Sequence, residues 1–161
     1  YEGLLKITYR NGDSAGFLET TKDTLRRWPS NQHFQERSLY ATLLSGIDME
    51  LAFPQVQKLL DAKPDDTQRK LLMALAYYRM RDVKSAVRQL NRINLSELGP
   101  GQGAVLCGIM HEAGGDVAAQ AAKIAQQISR DAVMLPEEKR FLRSIRPDFA
   151  SASGPAPARQ P

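Results

Sequence analysis

Asp13, Asp48, Asp82 and Asp116 stand 35, 34 and 34 positions apart, and no other feature restricts the fold of this chain as much. Each aspartate follows an apolar, helical-looking stretch and a short break, and each precedes another such stretch. Gly12 and Gly115 come directly before two of them, and Gly46 lies two positions before a third. The pattern predicts a helix hairpin written four times. Glycine relieves the backbone where the first helix ends. Aspartate then accepts hydrogen bonds from the free N–H groups that open the second helix and favours its dipole. A hairpin of this size cannot hide its own apolar side, so each must lean on the next. Other residues keep the step. Ala52 and Ala86, and Val56 and Leu90, place a small residue and a larger apolar one in two successive units. Pro29 and Pro64 close the first two, and Asp65, Asp66 and Thr67 offer caps for the helix that follows.

The apolar periodicity predicts helices over about 2–10, 14–28, 33–45, 49–62, 67–80, 83–94, 102–113, 117–130 and 137–146. Alternating strand patterns are absent, so the expected class is all-α. The units fall at about 1–30, 31–64, 65–98 and 99–135, followed by a capping helix at 136–146 opened by Pro136. That helix is expected to cover the last hairpin with Phe141, Leu142 and Ile145 and to turn Lys139, Arg140 and Arg143 to water. The stretch 147–161, rich in proline, alanine and serine, has no bulky apolar residue after Phe149 and reads as a flexible tail.

These residues resemble the tetratricopeptide (TPR) family, whose pattern is W-x2-L-G-x2-Y, then A-x3-F, then P, over 34 residues. One unit runs Lys70-x2-Met73-Ala74-x2-Tyr77, Arg81-Asp82, Ala86-x3-Leu90. The unit before it runs Glu36-x2-Leu39-Tyr40-x2-Leu43, Ala52-x3-Val56, Pro64. The unit after it runs Ala104-x2-Cys107-Gly108-x2-His111, Gly115-Asp116, with the small residue displaced to Ala121. The family tryptophan is missing from all three, and the glycine appears only as Gly108. The resemblance implies a right-handed α-α superhelix of about four hairpins over residues 1–146. It also implies a concave groove lined by Arg37, Ala41, Leu71, Leu75, Tyr78, Arg79, Val105, Ile109 and Glu112. Members that clamp a carboxylate tail do so with cations on these faces. Here the corresponding positions hold Ala41, Leu72, Gln102 and Leu106, with only Arg37 cationic, so a chaperone-tail receptor is not expected.

Composition narrows the classes of function. Of 161 residues, 42% are hydrophobic and 25% charged, a globular balance. A single cysteine, Cys107, excludes a disulfide framework and any zinc site needing two thiolates from this chain. No apolar run approaches the ~20 residues that span a bilayer. No secretory signal opens the chain, and a start at Tyr1 suggests a segment of a longer or processed protein, which leaves the compartment open. The charge of +4, from 22 Lys+Arg against 18 Asp+Glu, is spread along the sequence rather than gathered on one face.

Catalytic chemistry has no visible carrier, and no metal or cofactor is implied. Cys107 and His111 share a helix face, but they occupy the leucine and tyrosine positions that pack a hairpin together. Residues 98–103 are glycine-rich without the Gly-Lys-Ser/Thr ending of a phosphate loop. More informative are two apolar runs, Leu71 to Tyr78 and Ala104 to Met110, which cover nearly the whole circumference of a helix. Sandwiching between neighbours accounts for much of that. The remainder points to an apolar groove rimmed by Arg37, Arg79 and Glu112. The expected function is therefore a non-catalytic module that binds a protein segment, from a partner or from its own parent chain. Two alternatives stand beside it. One is contact with nucleic acid through the basic stripe Lys84, Arg88 and Arg92, and the other is a structural spacer or self-association domain.

Overall fold

The computed structural model describes residues 1–149 and is all-helical, with no strand among the described residues. Its helices are α1 (Glu2–Arg10), α2 (Ser14–Arg27), α3 (Gln32–Ser45), α4 (Met49–Ala62), α5 (Thr67–Arg79), α6 (Val83–Leu90), α7 (Pro100–Ala113), α8 (Gly115–Gln126) and α9 (Pro136–Arg143), with 3-10 turns at Leu95–Glu97 and Pro147–Phe149. No described helix is long and apolar enough to cross a membrane.

Two of the four periodic aspartates cap as expected. Asp13 accepts from the Gly16 N–H and Asp82 from the Ser85 N–H, each at 2.9 Å. The other two differ. Asp48 holds the N-cap position of α4 in a left-handed conformation (φ 51°), caps nothing with its side chain, and instead faces Lys22 at 3.7 Å. Asp116 sits in the first turn of α8, behind the cap position held by Gly114, where it favours the dipole. The break between the two helices of each hairpin needs positive φ, supplied by Gly12 (67°), Gly46 (71°) and Gly114 (76°). In the third hairpin no glycine is present and Arg81 takes φ 65° itself, at a cost of about 1 kcal/mol.

The helices stack in a repeating order. Pairs α1–α2, α3–α4, α5–α6 and α7–α8 pack as hairpins. The second helix of each of the first three packs on the first helix of the next, and α3, α5 and α7 lie side by side. The core follows the 34-residue step, since Leu5, Leu39, Met73 and Cys107 are equivalent positions and all are buried.

Three departures bear on function. α6 stops at Leu90, four residues before its expected end, because the chain turns through Arg92 at φ 59°. Order extends beyond 146: Phe149 is buried, and Arg146 donates to the Ala125 and Ile128 carbonyls and pairs with Asp148. Residues 147–149 of the expected tail are thus held in place, and residues 150–161 lie outside the described residues. Finally, α9 does more than cover the last hairpin. It packs on α7 and also reaches α3 and the corner between α1 and α2.

Candidate functional site

The layer of first helices is closed by the chain's own α9. Two glycines of α7, seven residues and two turns apart, let it approach. A methyl group built on Gly108 would lie 2.6 Å from Phe141 Cβ, and one built on Gly101 would fall on the Glu138 carboxylate. Phe141 packs against the Tyr78 ring (centroids 5.5 Å apart) and lies under the Arg79 guanidinium. Leu142 is fully buried.

The polar anchor of α9 is Glu138, which has no exposed surface. Its carboxylate accepts from the Tyr9 hydroxyl at 2.7 Å, the Tyr40 hydroxyl at 2.8 Å and the Leu135 N–H at 2.7 Å. Burial pushes the Glu138 carboxyl above its ordinary range, and the three donors only partly offset it. Burial, followed by the adjacent Glu138 charge, raises both tyrosines well above the usual phenol value. Neighbouring Glu137 accepts from the Ser14 hydroxyl at the start of α2.

This closure redistributes the residues expected to line a groove. Ala41, Leu71, Leu75, Val105 and Ile109 are at most 4% exposed and belong to the core. A first helix is covered by the preceding hairpin on one side and by its successor, or by α9, on the other. Leu71 still borders a small cavity beside Arg37, whereas Ala41, Leu75, Val105 and Ile109 lie in the packed core rather than on an open groove. Tyr78, Arg79 and Glu112 do come together. The Tyr78 hydroxyl donates to Glu112 at 2.6 Å, and burial with that bond pushes Tyr78 up to about 12. Arg79 is largely committed to structure, donating from Nε to the Leu43 carbonyl at 2.7 Å and from Nη2 to Leu44. These three residues line a cleft of about 500 Å³ with His111, Arg140 and Phe141. Arg37 lies elsewhere.

The cleft that holds Arg37 has about the same volume, 480 Å³, and a different character. Leu5, Phe17, Tyr9, Tyr40 and Val133 form its walls, Glu138 closes part of it, and Lys6, Arg10 and Arg37 converge on it from α1 and α3. Among the described residues no acid forms an ion pair with any of these three cations. A smaller cavity of 330 Å³ continues past Arg37 and Tyr40 toward His33, Gln68 and Gln102. Sequence reasoning missed Tyr9, Tyr40, Glu138, Lys6 and Arg10. The spacing of Gly101 and Gly108 on one face of α7 was the available signal that a helix seats there.

The basic stripe does not survive as a stripe. Lys84 and exposed Arg88 remain on α6, where Arg88 donates to Ser85, but Arg92 lies past the helix end. Cys107 is fully buried at its core position, which pushes its thiol up to about 12. His111 faces the Tyr78 cleft.

Neither a protein-family model, nor a curated protein, nor a solved structure matches the chain.

Proposed function

We propose that this chain is a non-catalytic protein-interaction module, a TPR-like right-handed superhelix that holds an acidic, apolar-anchored protein segment in the cleft between α1, α3, α7 and α9. One observation carries the reading: three cations without acidic partners among the described residues, Lys6, Arg10 and Arg37, surround a cleft walled by aliphatic and aromatic side chains. Unpaired cations at an apolar cleft steer acidic partners and reject basic ones, while the walls supply affinity by burial. α9 indicates the chemistry this layer accepts, since it seats a carboxylate between two tyrosines and a phenylalanine on a glycine.

Fluorescence anisotropy with a labelled amphipathic peptide of leucine and glutamate tests the reading. The peptide is expected to bind, to weaken as salt rises, and to lose at least about tenfold in affinity when Lys6 and Arg37 are both changed to glutamate, with helical circular dichroism unchanged. A lysine counterpart that binds as well, or an acidic peptide indifferent to the double variant, refutes it. The nucleic-acid alternative has less support, because Arg92 leaves the helix that would align the stripe.

A further inference from the structure

The end of the stack formed by α1 carries an apolar stripe whose counterparts are buried everywhere else. Leu4 is 50% exposed and Ile7 56% exposed. One repeat on, their equivalents are Ser38 and Ala41; two repeats on, Leu72 and Leu75; three repeats on, Leu106 and Ile109. All six are buried.

What covers those positions is visible from their neighbours on the same face. Arg69, on the stripe of α5, is 2% exposed and reaches back to the preceding hairpin. It bonds to Glu36 and Gln32 of α3 and to the Leu59 carbonyl of α4. Arg79, at the other end of that stripe, donates to carbonyls of α3. On α7, Leu106 borders a cavity shared with Val87 and Leu90 of α6. At each internal junction this face receives the hairpin before it. Among the described residues nothing covers it on α1, and the half-exposed Tyr1 and Trp28 rings, 5.5 Å apart, stand beside it. At the opposite end α9 and the Pro147–Phe149 turn close the array. Arrays of this kind end in polar caps, and the α1 face is not polar.

We propose that the Leu4–Ile7 face of α1 is a docking surface for a further helix hairpin in the same 34-residue register, supplied by the same polypeptide ahead of Tyr1. The face continues three junctions already made in the fold, and the side chains of Tyr1, Leu4, Ile7, Thr8 and Asn11 along it are uncharged, with the Arg27 guanidinium over the Tyr1 ring at its edge. The area is modest. A tethered hairpin covers it without the translational cost a separate partner would meet. This inference concerns the end of the array and stands independently of the cationic cleft.

The test compares the 161-residue chain with the protein extended by the roughly 40 residues encoded upstream, one repeat and its junction. The extended protein is expected to melt in a single transition shifted upward by about 5 °C or more, with α1 amides slower to exchange and Trp28 emission moved to shorter wavelength. Ile7→Asp should leave the 161-residue chain within about 1 °C of its parent, because the side chain faces water, and should abolish the shift in the extended one. Four results would overturn the proposal: an encoded protein that starts at Tyr1, an upstream segment without a helical hairpin, an unchanged midpoint, or an Ile7→Asp effect equal in both lengths. Concentration-dependent dimerisation of the 161-residue chain, dissolved by Ile7→Asp, would assign the face to a second copy and overturn it too.

Discussion

Adding one methyl group at Gly108 should loosen the seat of α9, whereas the same change at Gly103, five residues earlier in the same helix, should stabilise the protein. Glycine inside a helix costs about 1 kcal/mol relative to alanine, so each substitution begins with that gain. At Gly103 the new Cβ meets only Ile128 Cδ1 at 3.7 Å, an ordinary contact, and the gain is kept. At Gly108 the new Cβ would stand 2.6 Å from Phe141 Cβ and 2.9 Å from Phe141 Cγ. Phe141 Cβ cannot swing aside by a rotamer change, so α9 itself must move. Overpacking of this kind costs about 1–3 kcal/mol. The two variants should therefore differ by about 1–3 kcal/mol, with Gly103→Ala above the parent and Gly108→Ala at or below it. Urea denaturation followed by helical circular dichroism measures the difference, and amide exchange of α9 shows where it arises. Equal stability of the two variants, with α9 amides still protected in Gly108→Ala, would mean that α9 does not pack on α7 as described.

Two further predictions concern the buried carboxylate and the reassigned groove residues. The Glu138 carboxyl is raised in the folded state, so above the ordinary carboxylate range the native protein retains a proton that the unfolded chain has released. Its contribution is greatest at acid pH and declines as pH climbs from that range through the raised value, by up to about 1.4 kcal/mol per pH unit. Glu138→Gln should lack that decline, and urea midpoints of both proteins across pH would expose a wrong sign as a difference that grows the other way. Leu75→Glu should unfold the chain, losing more than about 4 kcal/mol by placing a carboxylate where no surface is exposed. Leu51→Glu, at a side chain 67% exposed, should leave helical circular dichroism and melting nearly unchanged.

What the sequence made legible was whatever repeats. Leu5, Leu39, Met73 and Cys107 share one step and one environment, so hairpin order and core positions follow from spacing. Contacts within a hairpin, or between adjacent ones, recur at fixed separation and leave a periodic trace. The contacts that seat α9 leave none. Glu138 meets Tyr9 across 129 positions and Tyr40 across 98. The position of Tyr40 is held by Lys6, Ala74 and Gly108 in the other units, so nothing periodic announces a tyrosine there. The end of α6 was hidden for a related reason. Arg92 adopts positive φ without the glycine that usually signals it.

The same distinction explains why the groove residues were misplaced. An apolar run around a whole helix shows that both sides are covered, but not by what. Leu71 to Ala76 of α5 are buried throughout, although their unit has neighbours on two sides only, and Ala104 to Met110 of α7 behave alike. For α5 the second cover is α7, while for α7 it is α9. An unrepeated helix therefore takes the place of a repeat. In doing so it converts apolar surface that would have been open into core, and it leaves the edges of the layer, where Lys6, Arg10 and Arg37 stand, as the surface on which we propose that an acidic segment is recognised.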